Sequence, residues 1–246
     1  MNMEVSDNLL IKMKILKESG FELKPEFIIM DFGCGAGQVV HELRNLGYKA
    51  FGCDIKIDTQ SIHDENIIRL INFSPYKLPF EDNIFDLILS DQVFEHVQNY
   101  PEVISEINRV LKPDGCCLHI FPSRYRLIES HVYVPLSSII KSYPWLLFWA
   151  KVGIRNEFQA DLSAKETATR NHDYLRGHTN YLSKKQITKQ FKGHFNDIVY
   201  CENLFLKHLK RGRYIYALSK IFPFIPSLYS TFKTRILLTK HSAERK

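Results

Sequence analysis

Residues 28–43, IIMDFGCGAGQVVHEL, place glycines at 33, 35 and 37 between an apolar run and an amphipathic one. Few architectures accommodate that spacing. It describes a buried strand, a tight loop whose backbone can approach a ligand, and the start of a helix. Such units build open α/β sheets, which bind ligands at the carboxyl ends of their strands. The rest of the first half repeats the theme. Apolar runs predict strands at 27–33, 49–55, 67–73, 85–91 and 116–122, and helical spacing predicts helices at 7–18, 37–46 and 101–112. In the first helix Leu9, Leu10, Met13 and Leu16 are expected to face the core. The strand runs lack strict alternation, as in a doubly wound parallel sheet covered on both faces.

The second half is less regular. Five aromatics within 143–158, together with Pro135 and Pro144, suggest a cap inserted after the fifth strand. A helix capped by Ser183 is expected over 182–195, and closing strands over 197–206 and 234–241. The 246 residues, 45% hydrophobic, suit a single domain. Its parts would be a cofactor-binding core at 1–121, a cap or substrate insertion at 122–195, and closing strands with a basic aromatic segment at 196–246. No run of 18 apolar residues occurs, and residues 1–20 lack the pattern of a secretory signal. Five cysteines without CxxC spacing suggest buried free thiols in a reducing compartment, so a cytoplasmic protein is expected.

The loop composition narrows the ligand. A dinucleotide fingerprint would carry its third glycine where Gln38 stands, and a phosphate loop would need a Lys after the glycines. Asp31, two residues before the turn, would repel a pyrophosphate and favours a cation. Asp54 ends the next strand, where an acid can hold both hydroxyls of a ribose. A nucleoside with a positive charge and no phosphate fits these demands, and S-adenosylmethionine is such a molecule.

With those residues in view, 25–121 resembles the core of class I S-adenosylmethionine-dependent methyltransferases, in the subgroup that includes quinone-pathway enzymes. The matching runs are IIMDFGCGAG, FGCDI, LPFEDNIFDLILS and FEHVQNYPEVISEINRVLKPDG. The resemblance implies a Rossmann-like, seven-stranded, mostly parallel sheet whose seventh strand is antiparallel. It implies that Asp31, Gly33, Gly35 and Gly37 hold the methionine end and that Asp54 takes the ribose. Asp91 and Gln92 would lie near the sulfonium. The family's adenine-contacting acid is replaced by Ser74, which can still accept a hydrogen bond, and Phe73 could pack on the ring.

Methyl transfer is an in-line displacement, so positioning supplies much of the rate, and a base is needed only where the acceptor must lose a proton. His96, in FEHV, is the candidate base. Glu129 and His131 lie where acceptor contacts are expected. Some quinone-pathway and RNA-end relatives bind a divalent metal through E-x-x-E-H. Here Gln92 replaces the first acid and is a poorer ligand for a hard cation, so catalysis without a metal is expected.

Charge is asymmetric along the chain. Residues 1–120 hold 11 Lys+Arg against 19 Asp+Glu, net −8; residues 121–246 hold 22 against 8, net +14. The apolar segment 132–154 and the basic, aromatic segment 207–233 suit a small or lipid-linked acceptor, such as a quinone precursor or glycan intermediate, taken at an anionic membrane face. No RNA-binding module is recognisable, so a nucleic-acid partner is not expected. Two alternatives stay open: a nucleic-acid methyltransferase favoured by the +14 half, and an inactive binding or scaffold protein favoured by Ser74 and Gln92. Nothing in the sequence fixes an oligomeric state.

Overall fold

A computed structural model describes residues 5–56 and 66–241. A seven-stranded sheet organises them. Its strands are β1 (Ile28–Phe32), β2 (Lys49–Asp54), β3 (Ile68–Leu70), β6 (Phe85–Asp91), β7 (Leu111–Pro122), β8 (Asp197–Tyr200) and β9 (Thr234–Lys240). A separate hairpin, β4 (Asn72–Phe73) and β5 (Tyr76–Lys77), follows β3. The sheet order is β3-β2-β1-β6-β7-β9-β8, parallel except for β9, which runs antiparallel to both neighbours. This is the Rossmann-like sheet anticipated from the sequence. Order reverses beside β1, and ligand crevices open there.

Alternation along the strands explains why both faces are covered. Met30, Ile88, Cys117 and Leu237 enter one core, with helices α3 (Tyr100–Val110) and α6 (Lys184–Lys192). Their neighbours Ile29, Leu87, Leu118 and Ile236 enter the other, with α1 (Asp7–Glu18) and α2 (Gln38–Asn45). A period of two thus separates two apolar layers, and strands buried on both faces need no polar side. All five cysteines are free and buried.

Three differences from the sequence reading have physical causes. The apolar run 67–73 is broken after Leu70, and Asn72–Phe73 turns away into the hairpin with Tyr76–Lys77. The run 197–206 is a strand only to Tyr200, and Glu202–His208 forms helix α7. Acidic Glu202 opens that helix; Lys207 and His208 close it and pair with Glu18 of α1, an arrangement that favours the helix dipole. In α1 the inward face carries Lys12, which is 0% exposed, whereas Leu10 is exposed. A carboxylate on β6 accounts for that reversal.

The cap between β7 and α6 has its own core. Helices α4 (Tyr143–Val152) and α5 (Ala164–Gly177) pack on each other, with Val132, Val134, Leu146, Ala150, Ala168 and Leu175 buried between and beside them. Helix α6 is not part of it: Ile187, Phe191 and Phe195 belong to the main core. Between α7 and β9 lie two short helices, α8 (Arg213–Ser219) and α9 (Ile225–Phe232).

Candidate functional site

The glycine loop leaves β1 in the left-handed region. Gly33, Gly35 and Gly37 have φ of 76°, 51° and 78°. At Gly33 a Cβ would lie 2.2 Å from Val93 Cγ2, and at Gly37 one would lie 2.3 Å from Ile68 Cδ1. Both positions therefore need glycine for conformation and for space. Asp54 ties the loop to the end of β2: its Oδ2 accepts from the Gly35 N–H (2.7 Å) and its Oδ1 from the Ile55 N–H (2.6 Å).

Beside this loop is a cavity of about 250 Å³. Gly33 and Asp54 line one part, Phe73 and Tyr76 another, and Gln92 and His96 a third. Phe73 is 57% exposed and meets Tyr76 edge-on at 5.9 Å, so the hairpin presents an aromatic wall. Ser74 is in the hairpin turn, exposed, and does not line the cavity; its N–H donates to Asn72 Oδ1 (3.1 Å). The structure thus brings Gly33, Asp54, Phe73, Gln92 and His96 together and leaves Ser74 outside.

Behind the loop, Asp31 is buried, and burial raises its carboxyl to about 7, with Lys12 opposing and Asp91 and Asp54 adding to the rise. Asp91 accepts from Lys12 Nζ (3.0 Å) and Asn8 Nδ2 (2.8 Å) on one oxygen. Helix α1 therefore reaches over the end of β6. Its start is fixed to α2 because Ser6 donates to Glu42 through both N–H and Oγ. Neither Lys12 nor Asn8 stands out in the sequence; only their contact with Asp91, 79 and 83 residues on, reveals them.

Where β6 ends, a second constellation begins. Glu95 is 2% exposed, and neither carboxylate oxygen has a hydrogen-bond partner among the described residues. Burial raises its carboxyl to about 7. His96 Nδ1–H donates to the His178 carbonyl (2.8 Å), which leaves Nε2 as the lone-pair nitrogen. The imidazoles of His96 and His131 meet edge-on with centroids 4.9 Å apart. His131 Nδ1–H donates to Glu129 (2.7 Å). Glu129 is fully buried and also accepts from the His131 and Val132 N–H groups and the Tyr181 hydroxyl. Burial opposes its ionisation, yet these donors outweigh burial and hold the carboxyl at about 2. Burial likewise works against a charged His131, but Glu129 prevails and raises it; burial lowers His96.

His96 lines the cavity beside the glycine loop, whereas His131 lines a second one of about 440 Å³ in the cap, with Tyr133, Asn156, Gln159, Arg170 and Tyr174. The histidine pair occupies the junction. Segment 178–180 holds it there: besides the His178 carbonyl, the Asn180 N–H donates to the Glu95 carbonyl (2.6 Å) and its Nδ2 to the Val97 carbonyl (2.9 Å).

A family model described as "Methyltransferase domain" matches residues 30–119, from the middle of β1 into β7. Over residues 30–119 the chain thus carries a methyltransferase domain, and its sheet order is that of the class I S-adenosylmethionine-dependent fold. Over 102 residues it is 30% identical to a sterol 4-C-methyltransferase of Caenorhabditis elegans, covering 38% of this chain and 30% of that protein. Over 91 residues it is 33% identical to a mitochondrial arginine-hydroxylase of Mus musculus, covering 36% and 26%. Among solved structures, an S-adenosylmethionine-dependent methyltransferase from Archaeoglobus fulgidus superposes with a TM-score of 0.53 at 14% identity, covering 96% of this chain and 94% of that one. The chain spans about half or less of the length of the curated relatives it matches, and those relatives differ in named reaction.

Proposed function

We propose that this methyltransferase domain binds S-adenosylmethionine in the cavity beside the glycine loop and transfers its methyl group to a small or lipid-linked acceptor held in the cap cavity. One observation carries the reading: His96, which lines the cavity framed by Gly33 and Asp54, lies edge-on against His131, which lines the cap cavity. Asp31 and Asp91 supply negative charge for the cationic methionine end, Asp54 hydrogen-bond acceptors for the ribose, and Phe73 with Tyr76 a surface for the adenine. In the transfer the acceptor's lone pair forms the new bond to the methyl carbon. The carbon–sulfur bond breaks with its electron pair returning to sulfur, which leaves a neutral thioether. A proton lost by the acceptor leaves by way of the histidine pair.

The acceptor we favour is lipid-linked, a quinone precursor or glycan intermediate met at an anionic membrane face. Helices α8 and α9 support this. Leu218, Ile221, Phe222, Phe224 and Leu228 are exposed there, beside Arg213 and Lys220. Among the described residues no helix is long and apolar enough to cross a membrane, so the contact would be peripheral. Each basic residue near such a surface contributes about 1 kcal/mol, screened by salt.

The test uses cofactor labelled in its methyl group and a cell extract divided into small-molecule, lipid and RNA fractions. Label is expected in the lipid or small-molecule fraction, with S-adenosylhomocysteine formed in equal amount. Label confined to RNA sinks the acceptor assignment; absence of cofactor binding by calorimetry sinks the transfer. Co-sedimentation with anionic but not neutral vesicles, lost on raising salt, is the expected membrane result.

A further inference from the structure

Glu95 lies beside the edge-on pair of His96 and His131. One ligand atom from each of Glu95, His96 and His131 lies within 4.8 Å of the others. We propose that these three residues bind a divalent transition-metal ion, and that the ion holds an oxygen or nitrogen of the acceptor in front of the cofactor's methyl group. The second clause rests on the methyl-transfer reading; the metal site does not. With an ion bound, the Nε2 lone pairs of the two histidines would serve the ion, so the acceptor's proton would then leave to water rather than to an imidazole.

Three features point to a metal rather than to an ordinary polar cluster. A carboxylate buried as deeply as Glu95 and left without a donor costs several kcal/mol unless a cation or proton meets it. Each histidine has its Nδ1–H committed to an oxygen, His96 to the His178 carbonyl and His131 to Glu129. Both rings are thereby fixed in the tautomer whose free nitrogen is a metal ligand, and a carboxylate behind a ligating imidazole raises its basicity. The Tyr181 hydroxyl and two backbone N–H groups fix Glu129 in turn, so the support extends one layer further. Such backing has little purpose behind a histidine that faces only solvent.

Ligands bound at about 2.0–2.2 Å lie about 3–4.3 Å from one another, so the set needs to close by about half an ångström. Two imidazoles and one carboxylate suit zinc, cobalt, iron or manganese better than magnesium, which favours oxygen ligands. Three protein ligands also leave coordination positions open, as sites that act on a substrate require. Those positions adjoin the cap cavity on the His131 side and the cofactor cavity on the His96 side. Within the turn after β6, Gln92 leaves Glu95 and His96 short of a third strong ligand. His131, 35 residues beyond His96, supplies a ligand that no local spacing contains.

The experiment uses the full chain freed of metal by chelation and titrates it with cobalt(II) alone, following visible absorption and calorimetry. One equivalent per chain is expected, with ligand-field bands of nitrogen–oxygen coordination. Glu95→Gln and His131→Asn are each expected to weaken binding at least about 100-fold, and Glu129→Gln, which removes only the support, about 10–100-fold. His194→Asn, outside the cluster, should bind as the parent does. Circular dichroism and S-adenosylhomocysteine affinity on the same preparations confirm that the variants fold. If cobalt fails to bind stoichiometrically, or binds as well after Glu95→Gln and His131→Asn, the site does not exist. If cobalt binds and the cofactor does not, the metal site stands and the methyl-transfer reading falls.

Discussion

The two ends of the site are built differently. The cofactor end is made by neighbours in sequence: three glycines within five residues, a carboxylate just before them, and another at the tip of the adjacent strand. Its contacts are largely backbone, and its shape is set by φ angles that glycine alone adopts cheaply. The proposed acceptor end is made by groups from three distant segments, 95–96, 129–131 and 178–181, joined only by folding. A site of the first kind is set by the path of the backbone and has no room for an added atom at Gly33 or Gly37. One of the second kind can change its partner by changing a few side chains.

The largest expected effect separates the two ends outright. His131→Ala should lower turnover by about 10²–10⁴, the range for loss of a group that handles the reacting proton or orients the acceptor, while S-adenosylhomocysteine affinity stays within about twofold. Gly33→Ala should do the reverse. Its Cβ would enter Val93 at 2.2 Å and its φ would be strained, so cofactor affinity should fall at least about 100-fold. Gly35→Ala, with nothing within 4 Å, should cost only the left-handed conformation, about 1–2 kcal/mol. Equal losses at Gly33 and Gly35 would break the claim that space as well as conformation is at stake.

Asp54→Ala comes next. It removes the acceptor of the Gly35 N–H along with the ribose contact, and should weaken cofactor binding by about 1.5–3 kcal/mol by calorimetry. A change under 0.5 kcal/mol would mean that the loop keeps its shape without the carboxylate.

Asp31 gives the comparison a pH axis. Burial raises its carboxyl to about 7, so at neutral pH the ligand-free protein carries it partly protonated. The cationic methionine end needs the carboxylate and drives the proton off. Affinity should therefore rise with pH through about 7 and level off above it, by about tenfold between pH 6 and 8. Asp31→Asn should flatten the profile. A profile unchanged by that substitution would assign the proton to another group.

What the sequence revealed follows the same division. The glycine loop, Asp31, Asp54 and the doubly wound sheet were legible because each depends on residues adjacent in the chain or on a period of two. Run 201–206 was misread as strand because a short apolar stretch does not distinguish strand from helix; Glu202 and the Lys207–His208 pair with Glu18 decide it. In α1 Leu9 and Leu16 face the core as expected, but Leu10 does not and Lys12 does, because Lys12 counts as polar until Asp91 is beside it. His96 and His131 were each suspected, but their meeting depends on segment 178–180, where the His178 carbonyl and the Asn180 N–H and Nδ2 make long-range contacts that no local spacing announces.

The smallest expected effect is at Ser74, and it tests whether the hairpin wall recognises the adenine by shape or by hydrogen bonding. The family resemblance places Ser74 where an acid would meet the adenine's amino group. In the structure the residue sits in the exposed β4–β5 turn, outside the cavity, while Phe73 and Tyr76 line it. Stacking on an aromatic ring is insensitive to the base's hydrogen-bonding edge, and ring contacts contribute about 0.5–1.5 kcal/mol beyond area. Ser74→Ala should therefore change S-adenosylhomocysteine affinity by less than about twofold, and Phe73→Ala should weaken it by about three- to tenfold, the same free energy converted. Cofactor analogues lacking the adenine amino group should bind nearly as well as the parent. If Ser74→Ala costs as much as Phe73→Ala and the analogues bind poorly, the turn swings inward when the cofactor binds, and this wall, like the acceptor end, is assembled by side chains.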